Sequence, residues 1–211
     1  MARLKWDQPG TRYFETGVDQ GVLYVQNEVG VAWPGLISVS ESPVGGEPRP
    51  FYLDGIKYLN LLSAEEYEAT IEAFSYPTEF TRCNGVEQIH QGLFATQQQR
   101  IPFSMSYRTL VGNDTQGLKH GYKIHIVYGL LAAPSARASK TTGDRVDADP
   151  YSWRVSSLPP NVSGRRPTTH FVIDSRHAPP SKLSEVLDIL YGTDTITPRL
   201  PSAEELILLF A

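Results

Sequence analysis

Chemistry needs a nucleophile with a base, a set of metal ligands, or a loop that cradles phosphate, so the titratable and nucleophilic residues come first. Two of the five histidines, His120 and His125, bracket a short segment. On a strand, residues five apart point to opposite faces, so this pair does not chelate one ion. His170, Asp174 and His177 follow further along. His170 and Asp174 share a strand face but stand about 13 Å apart in an extended chain, too far for a common ligand. The acids Glu65-Glu66 and the neighbours Asp147 and Asp149 read as solvated charges. The single cysteine, Cys83, excludes an intramolecular disulfide framework and a multi-cysteine metal site. The chain holds no Walker-type glycine loop, no GxSxG elbow and no HExxH pair. The expectation is a protein that is not an enzyme, with no catalytic residue, no cofactor and no metal site.

One charge pattern does stand out. From Leu61 to Tyr76 the sequence reads LLSAEEYEATIEAFSY. Ser63-Ala64-Glu65-Glu66 has the spacing of a helical capping box. Against a helix, Tyr67, Ala69, Ile71 and Ala73 alternate strictly with Glu66, Glu68, Thr70 and Glu72. That is the period of a strand, with the less polar residues on one face and carboxylates on the other. The segment is expected to be a strand carrying an acidic row of Glu66, Glu68 and Glu72.

The elements that would position such a row are mostly strands. The chain has 11 Tyr, 8 Phe and 3 Trp beside 17 Gly and 16 Pro, a balance that favours strands and turns over a helical bundle. Residues 1 to 21 mix Gly, Pro and charges and read as an extended arm. VLYVQ (22–26) is a short strand, and VAWPGLISVS (31–40) is a strand interrupted at Pro34-Gly35. ESPVGGEPRP (41–50) reads as a turn or loop. FSMSYRTL (103–110) and YKIHIVYGL (122–130) form a strand pair joined by the turn-rich linker VGNDTQGLKHG. In the second of these, Tyr122, Ile124, Ile126 and Tyr128 share a face opposite Lys123, His125 and Val127. Residues 132–150 read as a surface loop, and YSWRVS (151–156) and THFVID (169–174) alternate as strands.

One helix is expected near 179–191. After Pro179-Pro180, Leu183, Val186, Leu187 and Leu190 fall at i, i+3, i+4 and i+7, and Gly192 follows at the C-terminal cap. The segment 198–211 ends in PSAEELILLFA, with capping-box spacing at Ser202 and Glu205 and an apolar run that must dock on its own domain or on a neighbour. The whole predicts a single mainly β domain of roughly eight to ten strands, a sandwich or small barrel with one flanking helix.

A net charge of −4 and a pI near 5.7 argue against holding nucleic acid on a basic surface. The opening MARLKWDQPG lacks the apolar run of a secretory signal, so the match of Asn161-Val162-Ser163 to a glycosylation acceptor is expected to be chance. Nowhere do about 18 consecutive apolar residues occur, so no membrane span is expected.

Four stretches together resemble the major tail (tail tube) proteins of siphophages: LKWDQPGTRYFETGVDQGVLY, GIKYLNLLSAEEYEATIEAFSYPTEF, YRTLVGNDTQGLKHGYKIHIVYG and KLSEVLDILYGT. The resemblance runs through nearly the whole chain, and only 132–167 looks free to vary. It implies a structural virion protein made in the host cytoplasm. Six subunits would form a ring, their inner sheets joined around a lumen, and rings would stack through loops and terminal arms. The implied partners are other copies of the chain, with tape measure, tail terminator and distal tail proteins. DNA would pass through the lumen without specific binding, and the family brings no catalytic residues. On this reading the row of Glu66, Glu68 and Glu72 faces the lumen and repels phosphates. The alternatives are a tail terminator or head-tail connector of related β-fold, and a soluble small-ligand-binding β-barrel.

Overall fold

A computed structural model describes residues 3–26, 29–141 and 148–211. Asp147 lies outside them, as do residues 142–147 of the expected 132–150 loop. The flanks of that loop, 133–141 and 148–150, carry no helix or strand.

The fold is mainly β. Its spine is the hairpin of β11 (Phe103–Asn113) and β12 (Gly117–Ala132). The linker expected over VGNDTQGLKHG is much shorter than its composition suggests. The Asn113 side chain accepts from the backbone N–H of Thr115 and Gln116 at 3.3 and 2.6 Å, so three residues suffice to reverse the chain. The expected arm at residues 1–21 is also corrected. β1 (Tyr13–Val25) pairs antiparallel with β11 from Tyr13 opposite Asn113 to Val25 opposite Phe103. Two register breaks flank Asp19, and Gly17 and Gln20 adopt positive φ of 71° and 49°. These bulges admit the Gly, Asp and Gln residues that hide the strand period in the sequence.

The chain then forms β2 (Val31–Ala32) and, beyond the expected break at Pro34-Gly35, β3 (Leu36–Glu41). The expected loop at 41–50 is instead the start of a protruding arm. β4 (Val44–Gly45), β5 (Pro48–Leu53), β6 (Ile56–Leu62) and β7 (Glu65–Glu66) pair as two short ladders, β4 with β7 and β5 with β6. Prolines are tolerated there because a two-stranded ladder leaves outward-facing N–H positions unused. β8 (Glu68–Ala73) confirms the strand expected in Leu61–Tyr76, and the capping box at Ser63 caps nothing. A four-residue helix, α1 (Phe80–Cys83), and a small hairpin, β9 (Glu87–His90) with β10 (Leu93–Ala95), precede the spine. After it come β13 (Tyr151–Ser157), β14 (His170–Asp174), α2 (Pro180–Tyr191) and α3 (Ala203–Leu209).

The main sheet runs β2-β1-β11-β12-β13-β8-β3, with β14 also on β12. β12 is long enough to take β14 along Lys123–Val127 and β13 along Leu130–Ala132. The sheet forks there and curls until β3 comes back beside β1. The inside of this sandwich-like fold holds Leu23, Ile71, Phe103, Met105, Val127, Trp153 and Val155, all at 3% exposure or less. Phe80 plugs one end, with ring centroids 4.8 Å from Trp33, 5.0 Å from Trp153 and 5.1 Å from Phe103.

A second core lies on the outer face of β1, β12 and β14. Ile124, Ile126 and Tyr128 share it as the alternation predicts, and Val186 and Leu190 of α2 cover it with Leu206 of α3. Buried hydroxyls tie the helices down: Tyr24 donates to the Leu190 carbonyl and Tyr128 to that of Pro201, both at 2.9 Å. Gly192 ends α2 at φ 77°, where a Cβ would sit 2.8 Å from the Ile196 carbonyl oxygen. The C-terminal segment is a third helix, and its capping box is real. Ser202 Oγ accepts from the Glu205 N–H at 3.1 Å, and the Glu205 carboxylate accepts from the Ser202 N–H at 3.3 Å. Only part of its apolar run docks, since Leu206 is buried while Leu208 is 72% exposed.

Candidate functional site

Three features of this framework bear on function: an uncovered sheet face, the protruding arm, and a polar cluster inside the sandwich.

No helix among the described residues covers the outer face of β3, β8 and β13. Ala69, Ile71 and Ala73 turn inward and are buried, which forces Glu68, Thr70 and Glu72 outward. The structure brings two of the three predicted acids together on this face. Glu66 follows the same alternation but sits in β7, in the ladder at the root of the arm opposite Val44. The row is also less bare than its sequence suggests. Arg154 of β13 donates through Nε and Nη2 to Glu68 Oε2, and Ser38 Oγ donates to Glu72 at 3.0 Å. Against Glu68 and Glu72 the face therefore carries one cation, and its net charge stays negative.

The arm is the second feature. Every residue of β5 and β6 is exposed, and eight of them are large and apolar: Phe51, Tyr52, Leu53, Ile56, Tyr58, Leu59, Leu61 and Leu62. β-branched and aromatic residues pair well across a ladder, which explains why the hairpin forms. They gain nothing from leaving both faces in water. The smaller β9–β10 hairpin adds exposed Ile89, Leu93 and Phe94. Sequence reading missed the arm because its prolines and the Gly-Gly pair masked the first strand.

The third feature is a cluster at the end of the sandwich away from Phe80. His125 faces inward from β12 with Lys123 and Val127, and its ring stacks on that of Tyr107, its partner on β11, at 4.6 Å. His170, one register step away on β14, places Nε2 3.0 Å from His125 Nδ1. Glu41, the last residue of β3, lies with Oε1 3.6 Å from His170 Nδ1 and accepts from the Tyr107 hydroxyl at 3.0 Å. On the other side, Thr109 Oγ stands 2.9 Å from His125 Nε2 and donates to Glu15, whose carboxylate also pairs with Lys123. Burial, and then the neighbouring His170, push the His125 imidazole down to about 4, with Glu41 and Glu15 opposing. Burial likewise lowers His170 against the pull of Glu41. Burial raises the Tyr67 and Tyr107 hydroxyls, with the Glu41 charge adding to it.

Of the sets weighed in the sequence, His120 with His125 and His170 with Asp174 do not come together, and only Asp174 and His177 meet. His120 bonds Gln116 and stacks on Tyr13, remote from His125. Asp174 is held by Arg176, whose hydrogen bonds keep its carboxyl well below the usual range, and His177 lies 3.4 Å from it. The cluster that does form draws on β3, β12 and β14, and no local spacing connects these strands.

No family model matches this sequence, and no curated protein matches it.

Proposed function

We propose that this chain is a self-assembling structural subunit that stacks as rings, six to a ring, into the tail tube of a siphophage, the family its sequence resembles. The observation that carries this reading is the β5–β6 arm. Eight large apolar side chains on an exposed ladder are a costly surface for a protein that stays alone in water, and a binding surface for one that polymerises. The remaining surfaces suit the same role. β14 pairs only with β12 among the described residues, which leaves a strand edge for addition by a neighbour. The uncovered face of β3, β8 and β13 is the candidate lining of the lumen, where a negative surface lets DNA pass without binding. Tape measure, terminator and distal tail proteins are the partners this role requires. No helix among the described residues is long and apolar enough to cross a membrane.

The ligand-binding-barrel alternative needs an apolar cavity, whereas Trp33, Phe80, Phe103, Met105 and Trp153 fill the sandwich interior. A groove of about 840 Å³ is lined by Asn84, Arg100 and Arg137. The deciding experiment is negative-stain electron microscopy of concentrated protein beside sizing chromatography. Hollow tubes or stacked rings are the expected result. A single capping ring that never extends favours a terminator, and a monomer at every concentration, even with an added tail tip as nucleus, overturns the proposal.

A further inference from the structure

We propose that Glu41, His125 and His170 form a binding site for one divalent transition-metal ion of the zinc class, clamping the root of the protruding arm to the sandwich. One donor atom from each of the three residues lies within 4.8 Å of the other two. Two imidazoles and a carboxylate are a donor set that zinc takes in a tetrahedral site, with the fourth position left to water.

The hydrogen-bond chain prepares one ligand in advance. The Thr109 hydroxyl gives its only proton to Glu15, so it must accept from His125 Nε2–H. That places the proton of His125 on Nε2 and leaves Nδ1 as a bare lone pair aimed into the cluster. A metal-binding histidine commonly has its second ring nitrogen held by an outer group in this way, here Thr109 backed by the Glu15 carboxylate. In the absence of an ion, His170 Nε2 fills the gap by donating to that lone pair across 3.0 Å. An ion at zinc–nitrogen distances of about 2.0–2.1 Å needs the two nitrogens about 3.3 Å apart with both lone pairs turned on it, so binding requires the His170 ring to rotate, its proton to move from Nε2 to Nδ1, and the Glu41 carboxylate to close in from its place within 4.8 Å.

Charge points the same way. Glu15 is matched by Lys123, whereas Glu41 has no lysine or arginine partner among the described residues. Two neutral imidazoles beside this carboxylate leave the pocket with one uncompensated negative charge, which a cation balances. The buried Tyr67 hydroxyl, which neighbours that of Tyr107, belongs to the same group, with its ring 5.4 Å from that of His170. Access is open, since the Glu41 side chain is 39% exposed while those of His125 and His170 are 10% and 16%. Glu41 closes β3 three residues before the arm begins at Val44, so the ion would fasten β3 to β12 and β14 where the arm leaves the fold.

The test uses the full chain stripped with a chelator. Co²⁺ is expected to give the intense visible bands of a tetrahedral site at one ion per chain, and Zn²⁺ to displace it and raise the melting temperature. His170→Gln and Glu41→Gln are each expected to weaken binding at least about tenfold, and Thr109→Val, which releases His125 Nε2, by about 10–100-fold. His120→Gln, at a surface histidine, should change nothing. Should a cluster variant fail to fold, the ¹⁵N imidazole resonances of His125 and His170 in the unmodified chain must shift on Zn²⁺ addition. The absence of Co²⁺ bands and of any Zn²⁺ shift in melting, or binding untouched by His170→Gln, would overturn the site and leave a neutral hydrogen-bonded histidine pair in its place.

Discussion

Replacing Ile56, Tyr58 and Leu62 together with threonine should abolish assembly while leaving the subunit folded. All three lie on β6, and each is 72% exposed. Full burial of such a side chain is worth about 1.5–3 kcal/mol, so covering the exposed 72% recovers roughly 1.5 kcal/mol apiece. Three of them give roughly 4 kcal/mol per subunit contact, a factor of about 10³ in the association constant. Should a partner cover only half of that surface, about 2 kcal/mol remains, still roughly a thirtyfold loss. The folded subunit loses almost nothing, because these side chains touch no part of either core and threonine keeps the strand preference. A stability change within about 0.5 kcal/mol moves the melting temperature of a chain this size by only about 1–2 °C. Sedimentation velocity across a concentration series, with negative-stain images at each point, reads the assembly threshold, and calorimetry reads the fold. The reasoning fails if the variant assembles at the threshold of the parent protein. It fails equally if melting drops by more than about 5 °C, since the arm would then be part of the fold and not a contact surface.

Three further outcomes follow from the same geometry. Glu68→Lys with Glu72→Lys should leave the fold and rings intact, because neither carboxylate reaches the core and the losses, the ion pair of the 19% exposed Glu68 with Arg154 and the Ser38 hydrogen bond to Glu72, total about 1–3 kcal/mol; if the face lines the lumen, DNA ejection slows, and normal ejection from assembled mutant tubes would remove the lumen assignment. Phe80→Ala should cost about 3–5 kcal/mol in denaturant unfolding, since the ring is fully buried against Trp33, Phe103 and Trp153; a loss below about 1 kcal/mol would mean that α1 is not the plug of the sandwich. Asp174 and Glu205 have carboxyls lowered by hydrogen bonds from Arg176 and Arg199, so their stabilisation is present above the ordinary carboxylate range and fades as pH falls through the lowered values; both are half-buried at the surface, where solvent screens the pair, so acid unfolding curves of Asp174→Asn and the parent should converge at low pH while differing by about 1 kcal/mol at neutral pH.

What the sequence made legible was whatever a local period could carry. The alternation Tyr67-Ala69-Ile71-Ala73 against Glu68-Thr70-Glu72 is a strand in the structure because its inward face meets the core directly. The capping box at Ser63 competed with it and lost, since a helix there would have scattered the glutamates around its circumference. The helix at 180–191 was readable for the complementary reason: its stripe and its terminal glycine agree. β1 was hidden because its bulges break the period at Gly17 and Gln20, and the arm because its prolines sit in a ladder that needs few donors. The β11–β12 turn was overestimated because Asn113 closes in three residues what composition spread over eleven. The histidine cluster was illegible in principle. Its members stand 45 residues and more apart, and only the forking of β12 between β13 and β14 brings them together.

That fork also explains why the two outer faces have such different surfaces. Where β12 takes β14, the outer face is apolar and α2 and α3 cover it; where it takes β13, the outward residues are the half-buried Glu68, Thr70 and Glu72 with the exposed Arg154 and Ser156, and no helix among the described residues covers them. A monomeric protein gains little from one bare sheet face beside an arm of exposed aromatics, because the arm then promotes indiscriminate association. In a ring the two surfaces divide the work. On the proposed tube reading, the apolar arm would be consumed by contact with another copy, while the polar, negatively charged face would stay solvated and repel passing DNA. Arg154 fits that division, since a single cation bound to Glu68 orders the face without reversing its sign. A tube built the other way, with the arm in the lumen and the acidic face in the contact, would bury Glu72 with only the Ser38 hydroxyl to satisfy it, at a cost of several kcal/mol per subunit.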